Sequence, residues 1–373
     1  MVRALLRLAG MTGAAILAAL IVFILSDIDT LESQTAYVRQ QSPAKAEEHP
    51  SENLEESTPE AATVSDSQPA AAAQSEASSR PNEVRRIKNP YTTAAKTDAE
   101  LYTLSRAALV NIYCTSKSSF GAISGSGVVI DPKGVILTNA HVAQYMLLVP
   151  STETKTQCFI RTGSPSQNKY TAELLFLPTP WIAEHAADIA AKRPIGTGEH
   201  DYALLRITGT IDGTTLPASF SYIPIDTREA IAFSGDRLLL AAYPAEFAIQ
   251  GSRGTTLYPT SVFTRVGELM TFGERSVDLI SLGGAVLAQS GSSGGAAVNL
   301  WGQLVGIIST TSAGDTTAER ELRAITLFYV NRDLEAQTGL TLMRFLESDL
   351  AAQSSLFMKT EAPALTSKLL ENL

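Results

Sequence analysis

Two cysteines, Cys114 and Cys158, and four histidines stand in this chain of 373 residues. No Cys-x-x-Cys and no His-x-x-x-His spacing occurs, which excludes a zinc site of ordinary pattern, and no metal or other cofactor is expected. Lysine and arginine never form a block; 29 basic against 38 acidic residues leave a net charge of −9. Nucleic acid is thereby excluded as a partner. Large apolar residues are few and clear periodicity is missing in 27–95, a stretch rich in Ala, Ser, Glu, Pro and Gln, as in SQPAAAAQSEASSRPNE. Such a segment cannot bury enough surface to fold. As a random coil of about 70 residues it would span roughly 45 Å, a disordered linker. Internal repeats are absent.

Charge is also missing from Leu8–Ser26, where it matters most. As a helix those residues would span about 28 Å, close to the hydrocarbon core of a bilayer. Arg3 and Arg7 precede the run, and Asp27, Asp29 and Glu32 follow it. The positive-inside rule then leaves 1–7 in the cytoplasm, makes 8–26 a transmembrane signal anchor and sends the rest across. A cleaved signal peptide is the competing reading, but the run is long and no small-x-small site follows Ser26. Either way the bulk is exported, to the extracytoplasmic side of the cell membrane. In an oxidising compartment Cys114 and Cys158 could pair, with about 4 kcal/mol as the upper guide for a loop of that length. Two buried thiols fit the sequence equally well.

What is present begins near Asp98. DAELYTLSRAAL has helical spacing, with Leu101, Leu104 and Ala108 on one face and Asp98 as N-cap. From Val110 the chain changes to short β-rich runs: VNIYCT, GSGVVI, VILTNAHV, TAELLFL, YALLRI, RLLLAAY, LVGIIS and AITLFYV. Many strands with Gly/Pro turns and few helices indicate an all-β barrel or sandwich. Asp131-Pro132-Lys133-Gly134 reads as a hairpin turn. Trp181–Lys192 reads as a helical insertion and Asp333–Ser348 as a helix docked on the β domain. The protein domain spans 98–350, and 351–373 is a tail too short for another domain.

The stretch AQSGSSGGAAVN, Ala288–Asn299, holds three serines and three glycines. Gly/Ser runs are usually flexible linkers. This one lies between apolar strands, where a tight backbone path can aim N–H groups at a ligand. A serine there needs a base. His49 lies in the linker and His185 in the insertion helix. His141 ends the strand VILTNA, and His200 precedes Asp201 in a Gly-containing loop. Gly291–Gly295 also satisfies G-x-S-x-G, the elbow of the α/β-hydrolases, but no histidine follows Ser293 to complete that order. The subtilisin order would need Asp131, which the hairpin turn explains better. Histidine, acid, serine remains: His141, Asp201, Ser293.

TNAHV around His141, DYALLRI around Asp201 and GSSGGAAVN around Ser293 resemble the three active-site blocks of trypsin-like serine proteases. The likeness is closest to the bacterial HtrA-type branch, whose first strand ALVNIYCTS also resembles. It runs from Asp98 to Leu350. The resemblance implies two six-stranded β-barrels of the chymotrypsin type with the site in the cleft between them. It implies His141 as general base, Asp201 as its orienting acid and Ser293 as nucleophile. The amides of Gly291 and Ser293 would form the oxyanion hole. Substrates would be proteins or peptides.

There are departures from that pattern. Ser292 stands where digestive enzymes have the aspartate that pairs with a newly cut N-terminus, so that activation route is not expected. HtrA-type enzymes usually carry a C-terminal PDZ domain, and none is expected in these 373 residues. Relatives often trimerise, but no homo-oligomer contact is readable. By alignment Leu287 lies at the base of the primary pocket, with Ser309, Thr310 and Thr311 and the stretch Thr326–Phe328 as walls. With no acid there, small or medium apolar P1 residues are expected. The reading from a different class is a catalytically silent, protease-like binding module.

Overall fold

The computed structural model describes residues 90–373, apart from 119–120, 191–195, 246–255, 274–275, 285 and 312–320 and the side chains at 310 and 311. The expected membrane span 8–26 and the linker up to residue 89 lie outside the described residues. Among the described residues no helix is long and apolar enough to cross a membrane.

Helix α1, Asp98–Ala108, begins at the residue expected to cap it, and the cap lies one residue earlier. Thr97 is the N-cap, in a reciprocal capping box with Glu100. Leu101 and Ala108 are fully buried on its inner face. The segment before it is fixed, not linker-like. Lys96 N–H donates to Leu300 O at 2.8 Å, and Trp301 Nε1 donates to Thr93 O at 3.1 Å. The Tyr91 hydroxyl donates to Asp226 and accepts from Asn299 Nδ2.

Six strands close the first barrel: β1 (Leu109–Thr115), β2 (Ala122–Asp131), β3 (Val135–Thr138), β4 (Gln157–Thr162), β5 (Gln167–Phe176) and β6 (Ala203–Thr210), in the order β1-β2-β3-β6-β5-β4. The β2–β3 turn is the expected one. Gly134 N–H bonds Asp131 O at 3.0 Å, and Lys133 N–H bonds the Asp131 side chain at 2.8 Å. β1 and β4 pair with Cys114 opposite Cys158, and the two form a disulfide with Cα atoms 4.0 Å apart.

The second half differs from the expected closed six-stranded barrel. It is a seven-stranded sheet of β7 (Arg237–Ala242), β8 (Thr260–Arg265), β9 (Leu269–Met270), β10 (Leu279–Gly283), β11 (Ala296–Asn299), β12 (Leu304–Thr311) and β13 (Leu322–Thr326), ordered β8-β7-β11-β12-β13-β10-β9. The cause is a bend. β8 and β9 are two halves of one run, the first paired with β7 and the second with β10. Between them Gly267 N–H bonds Ser281 O at 2.8 Å and Ser281 N–H bonds Glu268 O at 2.9 Å. The sheet thus returns on itself through a chain that changes partner, a common device where strands turn barrel corners.

Helices cover the rest. The segment around His141 is α2 (Ala140–Ala143) followed by a 3₁₀ turn, Gln144–Leu148. The insertion is helical over less than expected: α3 is Thr179–His185, with a 3₁₀ turn Ala186–Asp188. The run AITLFYV is strand only to Thr326, whose side chain accepts from Tyr329 N–H and starts α4, Leu327–Thr338. Gly339, in the left-handed region, ends α4 and separates it from α5, Leu342–Glu347. The expected tail is two helices, α6 (Leu350–Thr360) and α7 (Ala362–Leu370). They bury Phe357, Leu365 and Leu369. Lys368 Nζ donates to Ala183 O on α3 at 2.7 Å, and Thr366 Oγ1 donates to Leu147 O at 3.2 Å.

Candidate active site

The β3–β6 register places Thr138 opposite Ala203. Continued past the strand ends, that pairing brings residues 139–141 against 201–202. Asn139 completes the approach as N-cap position of α2, its Nδ2 donating to Asp201 O at 2.9 Å. His141 N–H then donates to Asp201 Oδ1 at 2.9 Å, and ring Nδ1 lies 2.8 Å from Oδ2. From β12 the Ser309 hydroxyl donates to Oδ2 at 2.9 Å. Burial pushes the Asp201 carboxyl up, but the His141 ring and these hydrogen bonds outweigh it and hold the group below the usual carboxylate range. Asp201 is thus almost fully enclosed, while the His141 side chain beside it is about one-fifth exposed.

The three serines of the Gly/Ser stretch have different surroundings. Ser290 is exposed; Ser292 is buried with its hydroxyl unpartnered; Ser293 is half-buried. The backbone here is held from both halves of the fold. Ser126 N–H donates to Ser293 O at 2.7 Å and Gly294 N–H to Ile308 O at 2.8 Å. The Ser126 hydroxyl donates to Gly291 O at 2.7 Å and accepts from Tyr243 N–H at 2.8 Å. Gly294 has φ +82°, and a Cβ there would lie 2.1 Å from Ser126 O and 2.4 Å from Thr138 Oγ1. Only glycine permits that approach, which sets the backbone after Ser293 against the residue three before His141. Gly291 likewise has φ +88°. Among the described residues, neither the Ser293 hydroxyl nor the amides of Gly291 and Ser293 make a hydrogen bond.

Residues 125–307 match the family model of the trypsin-like peptidase domain. This stretch belongs to the trypsin-like peptidase family. No curated protein matches the chain. A serine endoprotease of known crystal structure from Yersinia pestis is similar, with a TM-score of 0.41 and 21% identity over 66% of this chain and 69% of that one.

Within the trypsin-like domain the expected pocket residues have diverse places. Leu287 is fully buried in the core of the second sheet, beside the exposed Val286. Thr326 donates its hydroxyl to Val277 O at 2.8 Å while capping α4. Phe328 is half-buried beneath the Arg332 guanidinium, 5.5 Å from its ring centre. The side chains of Thr310 and Thr311 lie outside the described residues. Two residues with site contacts were not assigned from sequence: Ser126 and Asn139. The signal for Ser126 was Gly125-Ser126-Gly127, since a Cβ at Gly125 would lie 2.4 Å from Val142 and one at Gly127 2.7 Å from Ile136. Small residues there let β2 approach the His141 segment. Among the described residues no cluster of three His, Cys, Asp or Glu could hold a metal.

Proposed function

We propose that this protein is a serine endopeptidase working by an acyl-enzyme route through His141, Asp201 and Ser293. One observation carries the reading. The buried Asp201 carboxylate grips the Nδ1 edge of His141 at 2.8 Å, and Ser126 N–H, on the strand beside the His141 segment, holds Ser293 O at 2.7 Å. A serine hydroxyl is a weak nucleophile without a base. As Ser293 Oγ attacks the peptide carbonyl, its proton passes to Nε2 of His141. Asp201 fixes the tautomer that leaves Nε2 free to accept and then stabilises the imidazolium, remaining a carboxylate. The new oxyanion accepts hydrogen bonds from the amides of Gly291 and Ser293, a donor pair of the kind worth about 3–4 kcal/mol per member. The C–N bond breaks as His141 returns the proton to the leaving amine. Water, deprotonated by the same ring, then releases the acid product.

The alignment that puts Leu287, and no acid, at the pocket base favours small or apolar P1 residues over Lys or Arg. The Cys114–Cys158 disulfide favours an oxidising compartment. With the apolar run at 8–26, it supports a membrane-tethered domain acting on extracytoplasmic proteins. The test is cleavage of an unfolded protein by the purified chain, with the cut sites read by mass spectrometry. The reading predicts cuts after apolar or small residues that vanish in Ser293→Ala. Cuts that persist in Ser293→Ala contradict it.

A further inference from the structure

Asp201 is held from a second side. His200, the residue before it, has a left-handed backbone with φ +56°. That conformation costs a non-glycine residue about 1 kcal/mol or more, although histidine tolerates it better than most. Two groups on α4 keep it there. The Tyr329 hydroxyl accepts His200 N–H at 3.0 Å, and Asp333 Oδ1 lies 3.0 Å from His200 Nδ1. Tyr329 and Asp333 are four residues apart and so share one helix face. Gln337, four further on, donates to Asp333 Oδ2 at 2.6 Å and aims the carboxylate.

Asp333 also faces the residue after Asp201. The buried Tyr202 hydroxyl lies beside that carboxylate, and burial first and then the Asp333 charge push its pKa up. Tyr202 N–H returns to His200 O at 2.9 Å. Asp201 is therefore the apex of a three-residue turn with both shoulders turned to one carboxylate. The Asp333 hydrogen bond raises the His200 pKa; burial opposes this, and the charges of Asp333, Glu199 and Glu184 add to it.

We infer that Asp333 is a positioning residue: through His200 it fixes the turn that presents Asp201 to the His141 ring. Its kinetic consequence rests on the peptidase reading; its consequence for the His141–Asp201 hydrogen bond does not. A carboxylate that only docked α4 would change stability and leave that hydrogen bond alone.

The test uses the full chain with ¹⁵N-labelled histidine, as wild type, Asp333→Ala, His200→Ala and the double variant. The His141 Nδ1 proton resonance reads the bond to Asp201. His185, paired with Asp188 in the insertion, reports that the fold persists. Asp333→Asn, which keeps the shape and removes the charge, carries the test if Asp333→Ala does not fold. Positioning predicts a displaced His141 resonance with an unchanged His185 signal. It also predicts kcat on an apolar-P1 peptide lower by about tenfold with KM within about twofold, and a double variant no worse than the singles. A His141 resonance at its wild-type place in the folded variant overturns the inference, as does a double-variant loss equal to the product of the singles. If wild type shows no Ser293-dependent activity while the resonance still moves, the positioning stands and the peptidase reading fails.

Discussion

Ser126 is the residue on which the two halves of the candidate site meet. Its hydroxyl bridges Tyr243 N–H and Gly291 O, and its own backbone bonds Ser293 O and Thr138 Oγ1. Ser126→Ala leaves two buried backbone groups unpaired and is expected to lower stability by about 1–3 kcal/mol in a denaturant titration. A loss well under 0.5 kcal/mol would show that the bridge contributes nothing. His200 yields a pH dependence with a definite sign. Its pKa is raised in the fold, so its contribution is full below the unfolded value of about 6.5 and fades as pH rises through the folded value. The advantage of wild type over His200→Gln in thermal unfolding should therefore be larger at low pH than at high; the opposite trend would refute the pairing with Asp333. The meeting of His141 with Asp201 was legible because polar side chains at the ends of apolar strands invite a functional reading. Ser126 was not, because a serine between glycines inside a strand looks like a concession to packing.

At the scale of elements, α4 is where local pattern and outcome part. AITLFYV is β-branched and aromatic and reads as strand throughout, yet the strand stops at Thr326 because that side chain caps a helix. Packing of Tyr329, Val330 and Leu334 against the β core then overrides propensity. Thr326→Val keeps the shape and removes the cap, and is expected to cost about 1 kcal/mol in thermal unfolding; an unchanged midpoint would show the cap to be incidental. The terminal helices α6 and α7 were legible in principle, since Leu350, Ser354 and Phe357 and then Ala362, Leu365 and Leu369 recur at helical spacing. The alanines and serines between them mimic a flexible tail. The face Tyr329–Asp333–Gln337 could not be read as site architecture, because nothing local says that α4 packs against the turn of Asp201.

Across the whole molecule, strand content pointed to the β class, but partner choice along a bent strand is a tertiary outcome, and so the second half differs from a simple six-stranded closure. The disulfide follows the same logic. Two cysteines 44 residues apart say nothing of pairing until β1 and β4 are in register. Closing a loop of that length is worth at most about 4 kcal/mol. Replacing both cysteines by alanine should lower stability by about 2–4 kcal/mol, read by denaturation under oxidising conditions; no change would place the stabilisation elsewhere. The central claim is that an imidazole and a carboxylate from one barrel serve a serine from the other half. A fluorophosphonate reagent reports this directly when the adduct is mapped by mass spectrometry on the full chain. The account predicts one adduct, on Ser293, lost in Ser293→Ala and in His141→Ala; an adduct on Ser290 or Ser292, or undiminished labelling without His141, would contradict it.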